Sequence, residues 1–572
     1  MPLTLAQFQS LTTTQIGGMS TTQFGAFLAT ELAFLTSTQF TALTTTQLGV
    51  LTATQIAGFG SSGWTVISTQ QIGALSSTQL GKLGITQINA INATAFGAIA
   101  TTTIGGFTVT QIKGLSSTIL AALSPAQLGT LSATQIQSLA TTAIAALTTT
   151  QVGSLSTLQI GALTASQIRS LSSTSFAALS TLQVTGLTVT QIKGLSTTVL
   201  TGLTTTQMGA MSSVQIGTLV VSQLNALSAP VIASFSTTQI GSLKTTQVKG
   251  LATGVMAALT VTQVSVLSTG QIAAFAATQL NALSTTAVAG LSTLQIGGLS
   301  ASQFGGLSST VVAAFTAAQI GGLSTTQLKA LSTTTMRALV TTQLDPLSAA
   351  QIGALATTQL NALTTTTFSA LSTTQLTGLT TTQVRGLSTT ALNVLSTTQL
   401  ETFTTTQLAV LSTMQLNGLP TTDIAGLSTV QIAGLTTTQV RGLSTTHIMV
   451  LSTNQVAALT PTQLSAITGP QIASLSIADI ESFSATQLGG FTAGQMGALT
   501  TTQIVVFSST QIGALSTTQI RGIETTDIAA FTEVQVSGLT TAQISNLNFT
   551  QVAAFTTTQI GYMNTTQFAA LV

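Results

Sequence analysis

Cysteine is absent from this 572-residue chain, which excludes disulfides and thiolate metal sites. Charge is scarce. Asp, Glu, Lys and Arg make up 3% of the residues, against about 25% in ordinary soluble domains. A net charge of +2 leaves no electrostatic footprint for nucleic acid or an anionic membrane. The pI near 9.2 rests on very few groups. No apolar run reaches the ~18 residues of a membrane-spanning helix, because Ser, Thr or Gln interrupts every few positions, so membrane insertion is not expected. The opening stretch, MPLTLAQFQS, lacks a basic segment followed by an apolar core, so a conventional secretory signal is not expected either.

What is present is one phrase. Stepping by eight from Leu3 divides residues 3–570 into 71 octads without insertion or deletion. Position 1 is apolar throughout, mostly Leu. Position 6 is also apolar throughout: Ile, Leu, Val, Phe, Met and, once, Trp64. Position 2 is mostly Ser or Thr, positions 3 and 4 mostly Thr, position 5 mostly Gln, and positions 7 and 8 favour Gly and Ala. Composition does not shift and no linker intervenes, so residues 1–572 read as a single uninterrupted array. The least regular octad is FGSSGWTV at residues 59–66.

A period of eight does not suit one continuous helix. Eight residues advance about 800°, and the apolar stripe would drift about 80° per repeat. A plain strand fits poorly too, since positions 1 and 6 have opposite parity. A chain of very short helices fits better. With the N-cap at position 2, Ser or Thr at N-cap and Gln at N3 form a capping box, and the apolar residues at N′ and N4 form a hydrophobic staple. Glu31, Asp423, Asp479 and Asp527 replace Gln with acids that can still cap. Pro125 and Pro461 fall on N1, a favoured proline site, and Pro230 and Pro470 on N2. Pro420 replaces the N-cap itself. Glycine at positions 7 and 8 offers an exit from the helix and close approach of neighbouring coils. Helices this short are marginal alone, so the octads must stack as a repeat solenoid. The expected fold is an all-α solenoid of short capped helices. The alternative is a β-solenoid, because Thr, Ile and Val favour strands.

Nine of the eleven basic residues stand at position 7: Lys113, Arg169, Lys193, Lys249, Lys329, Arg337, Arg385, Arg441 and Arg521. Lys82 is at position 8 and Lys244 at position 2. Asp345, Glu401 and Glu481 share position 7. This position is read as facing water, and the spacing of the charges as irregular. His447 replaces a Gln at position 5, with no Cys, acid or second His near it in sequence, and reads as a structural substitute. Trp64 reads as core, and Tyr562 as a surface or capping feature. Acids do not cluster as in calcium-binding repeats, Ser has no base to activate it, and nucleotide fingerprints are missing. No catalytic, cofactor or metal residues are assigned, and an enzyme is not expected.

The phrase L-[ST]-x-x-Q-[ILV]-x-[AG], carried by octads such as LTTTQVRG at 379–386 and LSATQIQS at 131–138, resembles octapeptide arrays of bacterial surface-associated or secreted proteins. That resemblance implies a structural role outside the cell or at its surface, with export by a non-classical route or a C-terminal signal; the tail QFAALV has the small and apolar residues of some such signals. The expected function is a non-catalytic solenoid rod that self-associates end to end or laterally, as a fibre, stalk, surface layer or matrix component. The alternative is a binding module whose Thr, Ser and Gln rows hold ice, glycan or another polar surface.

Overall fold

In a computed structural model, residues 4–572 are described. They hold 71 helices of four to seven residues, one for each octad, from Leu5–Gln9 to Thr565–Leu571. No strand occurs among the described residues, which decides against the β-solenoid. Every helix begins at position 3, so position 2 is the N-cap throughout, in extended conformation. Ser516, for example, caps Thr517–Ile520 with φ −69° and ψ 158°. Pro125 and Pro461 sit at the first helical residue and Pro230 and Pro470 at the second. There the missing N–H costs nothing, because it would have had no helical partner.

The chain divides into two compact units, Met1–Leu291 and Ser292–Val572. The octad step does not change at the boundary, since helix Thr285–Ala289 is followed by helix Thr293–Gly297. In each unit the side chains of positions 1 and 6 form the core; Leu376 is 0% and Leu379 4% exposed. Position 7 is exposed wherever it carries charge.

Backbone hydrogen bonds outside the regular helical ladder span only three or four residues. Turns are therefore joined by packing and by side chains. The side-chain bonds run to residues 28 and 31 earlier, as from Gln47 to Met19 and Ile16. One turn of the solenoid thus takes about 28 residues, three and a half octads.

Of the two roles expected of glycine, helix exit and close approach of neighbouring coils, the structure shows the second. No described residue has positive φ, so the helices do not leave through a left-handed glycine. They unwind directly into the extended position 1, as at Leu387, with φ −62° and ψ 140°. Glycine at position 8 instead admits the turn before it. A Cβ on Gly378 would overlap the Ala349 carbonyl, and one on Gly522 the Ala493 carbonyl. Both partners stand at position 3, one turn earlier.

Candidate functional site

The repeated glutamine is the residue around which most octads are organised, and it is buried in nearly all of them, the exceptions including Gln7, Gln15 and Gln23 in the first turn. Gln439 is 3% exposed. Its Oε1 accepts from the Thr436 backbone N–H at 2.8 Å and from the Thr436 hydroxyl at 3.1 Å. Its own N–H donates to Thr436 Oγ1 at 3.2 Å. These bonds are the expected capping box. The side-chain amide then does a second job: Nε2 donates to Leu408 O and Leu411 O, each at 2.8 Å. Those carbonyls belong to the end of one helix and the start of the next, one turn back. Gln463 and Gln191 repeat the pattern in both units. A primary amide has one acceptor oxygen and two donor hydrogens, and here both ends are used. Where position 2 has no hydroxyl the ladder survives, since Val220 N–H still donates to Gln223 Oε1 at 2.8 Å.

The sequence contains a signal for this second job. Glutamate serves a capping box as well as glutamine does, yet position 5 holds 52 Gln and one Glu. Two factors separate them at a buried site: the need for donors, and the cost of burying a carboxylate.

The octads without Gln are also ordered. From Ala95 to Asp479 they recur every three or four octads, apart from Thr103. That is about once per turn, so they make one seam along each unit. The asparagines of position 7 are Asn89, Asn225, Asn281, Asn361, Asn393 and Asn417. Each precedes a seam residue by one constant offset, the 30 residues that separate Asn417 from His447. Four show why. Asn89 Oδ1 accepts from Ser116 N–H at 2.9 Å and its Nδ2 donates to Gly114 O at 2.9 Å, serving the octad that carries Ile119. Asn225, Asn361 and Asn417 do the same for the octads of Val255, Ala391 and His447. An amide from the preceding turn thus meets the N-cap N–H that glutamine would have met. Asn92 performs the exchange within its own octad, capping Ala95 N–H and donating to Ile67 O.

His447 occupies the seam as a glutamine replacement. Its Nε2 lies 3.0 Å from Leu419 O, one turn earlier, and its Nδ1 lies 2.8 Å from Ser444 Oγ and 3.2 Å from Asn417 Oδ1. Trp64 is fully buried against Phe40 and Phe59, at ring separations of 5.7 and 6.2 Å. The irregular octad around it follows from that cluster: a Cβ at Gly63 would lie 2.5 Å from the Phe40 ring. Tyr562 is 39% exposed and is the C-cap of helix Thr557–Gly561.

The four acids at position 5 divide into two pairs. Glu31 Oε2 accepts from Leu28 N–H at 2.8 Å, and Asp479 Oδ2 from Ser476 N–H at 3.0 Å; both cap as expected. Asp423 and Asp527 do not. Their N-caps are Pro420, which has no N–H, and Glu524, whose carboxylate is a like charge beside Asp527. Each turns to the turn before instead: Asp423 Oδ1 accepts from Thr397 Oγ1 at 2.8 Å and Asp527 Oδ1 from Thr501 Oγ1 at 2.7 Å. The other carboxyl oxygen of each is buried without a partner. Burial pushes the Asp527 pKa above the usual aspartate value, the Thr501 hydroxyl pulls it back, and nearby Glu524 pushes it up again.

Among the described residues, no three His, Cys, Asp or Glu side chains are grouped to hold a metal, and no helix is long and apolar enough to cross a membrane. A groove of about 430 Å³ beside Lys193, Val220 and Lys244 lies open at the surface. Residues 437–469, 493–522 and 520–557 match the ALTTAQ repeat family. The six letters of its name run from position 8 to position 5 of the octad. No curated protein matches the chain.

Proposed function

We propose that this chain is a structural protein, a solenoid that self-associates into a fibre, stalk, surface layer or extracellular matrix component at a bacterial surface, with all 71 octads acting as one array. The observation that supports this most is how the polar side chains are used. A protein rich in Ser, Thr and Gln directs its position-2 hydroxyls to helix caps and its amides to the joints between turns. Such a build gives length and register from a single repeated unit.

The alternative, a polar surface that binds ice or glycan, cannot draw on the glutamine row, which is buried. It is left with the exposed threonines of positions 3 and 4. Light scattering and electron microscopy across a dilution series test the structural reading. Particles that lengthen or thicken with concentration support it, whereas monomers at every concentration refute it. Thermal hysteresis from such monomers would move the function to the exposed threonine rows.

A further inference from the structure

The position-7 charges are irregular along the sequence but ordered around the solenoid. In the first unit all the Lys and Arg side chains are exposed, whereas its single acid, Glu31, is buried. Lys113 and Arg169 are seven octads apart, as are Lys193 and Lys249. Each interval is two turns of three and a half octads and returns a side chain to the same side. The two lines adjoin, because Arg169 Nε donates to Gly194 O at 3.0 Å. Lys244 joins them, since it shares a groove with Lys193. Lys82 precedes Lys113 by one turn and a little more. The first unit therefore carries a basic stripe with no acid beside it.

The second unit carries charge of both signs on different sides. Lys329, Arg385 and Arg441 follow one another at steps of seven octads. Asp345 and Glu401 are also seven octads apart, but each lies two octads beyond Lys329 or Arg385, more than half a turn further round. Glu481 comes ten octads after Glu401, half an octad short of three turns, and stays near the acidic line. Three charges depart from this division: Arg337 lies one octad round from Lys329, the exposed Glu533 falls on the line of Arg337, and Glu524 lies beside Arg521.

The two stripes have the same spacing. Lys113, Arg169 and Lys249 are separated by seven and then ten octads, and so are Asp345, Glu401 and Glu481. All six side chains leave the octad at position 7 and all are exposed. We infer that copies of this chain associate side by side and in parallel, the basic stripe of the first unit of one copy lying against the acidic stripe of the second unit of its neighbour. The order of the intervals requires parallel chains, because an antiparallel pair would set the interval of seven against that of ten. The contact is heterologous, so each copy leaves one stripe of each kind open and the assembly extends as a staggered fibre. Single exposed ion pairs contribute little. Three pairs held in one register act together, and salt weakens them over a screening length of about 8 Å at physiological ionic strength.

This inference rests on the self-association reading and can fail separately from it. Sedimentation velocity at low and high NaCl would be run on the wild type, on the triple variant K113E/R169E/K249E and on the triple variant D345K/E401K/E481K. Far-UV circular dichroism would establish that each variant is folded. The wild type is expected to assemble at low salt and fall apart at high salt. Each variant alone should stay monomeric. An equimolar mixture of the two should assemble again, because each then presents the stripe the other lacks. If the wild type assembles but either variant assembles equally well, the stripes are not the contact and this inference is overturned while self-association stands. If the wild type is monomeric at every salt and concentration, both fail. Heparin would be the probe for a polyanion. Heparin bound by the monomeric wild type and released by K113E/R169E/K249E would assign the basic stripe to a polyanion and overturn pairing between copies.

Discussion

Replacing Gln439 by Ala removes three kinds of contact at once. The Leu411 carbonyl loses its donor and the Thr436 N–H its acceptor, while the Leu408 carbonyl loses its second donor and keeps the Leu411 N–H at 3.0 Å. Each of the two buried backbone groups left without a partner costs about 1 kcal/mol or somewhat more, so the local loss should be about 2 kcal/mol or a little above. The natural seam indicates how to recover part of it. Ala409 stands at position 7 and precedes Gln439 by the same offset that relates Asn361 to Ala391 and Asn89 to Ile119. Asparagine at 409 should accept from the Thr436 N–H and donate to the Gly434 carbonyl. The double variant A409N/Q439A should therefore regain about 1 kcal/mol over Q439A, while A409N alone should gain little, since Gln439 already occupies the acceptor role. A double-mutant cycle isolates this coupling. A repeat array opens locally, so the readout is native-state hydrogen exchange across the octads containing Leu411 and Thr436, and not one global melting temperature. Additive effects of the two substitutions would refute the exchange of amides between turns. Unchanged protection in Q439A would refute the ladder itself.

Other outcomes follow from the same contacts. Gly378→Ala and Gly522→Ala should each destabilise their turn by about 1–3 kcal/mol, as overpacked sites do, because the new methyl group meets a backbone carbonyl. Gly494→Ala, inside helix Ala493–Met496 with nothing near its Cβ position, should be neutral or stabilise by about 0.5–1 kcal/mol; hydrogen exchange distinguishes the three. Asp527 has a folded pKa raised by burial, so its protonated form is the one the fold favours. Its contribution is fully present below the unfolded pKa and is lost as pH rises through the folded value. Asp527→Gln should remove that pH dependence and raise local protection at neutral pH. An Asp527→Gln profile that still tracks the wild type from acid to neutral pH would show that the carboxyl is not the titrating group.

Much of the fold was legible because the octad states its own cap. Ser or Thr at position 2, Gln at position 5 and apolar residues at 1 and 6 define a helix start with a staple, and every helix begins where that logic puts it. The number of octads per turn is written in the spacing of residues such as Val199, Val231 and Val255, yet it was not legible from the sequence alone. Their meaning was hidden because a seam residue differs from the consensus by absence, and an absence has no partner to point to until the turn is closed. Glycine carried two readings, exit from the helix and close approach of coils, because left-handed freedom and the lack of a Cβ leave the same letter in a sequence; the contact at Gly378 selects the second. The acids at Asp423 and Asp527 misled because capping was judged from the acid alone, while Pro420 and Glu524 determine what it can accept. Charge order was unreadable without the turn of three and a half octads, since intervals of seven and ten look unrelated on a line.

The most direct test of the central claim is a pair of deletions compared by segment-resolved hydrogen exchange. Removing residues 379–386 takes out one octad and rejoins neighbours with Leu at position 1 on both sides, Gln375 at position 5 before the junction and Ala391 after it. Every later glutamine still finds carbonyls one turn back, so protection should persist on both sides of the junction, except at the Ser388 N–H, which loses the Asn361 amide that serves it. Removing residues 381–384 takes Gln383 and Val384 out and leaves half an octad, which cannot form a helix or reach the carbonyls one turn back. Protection should collapse over at least a turn on each side. Equal protection in the two deletions would contradict a register-locked solenoid joined turn to turn by glutamine.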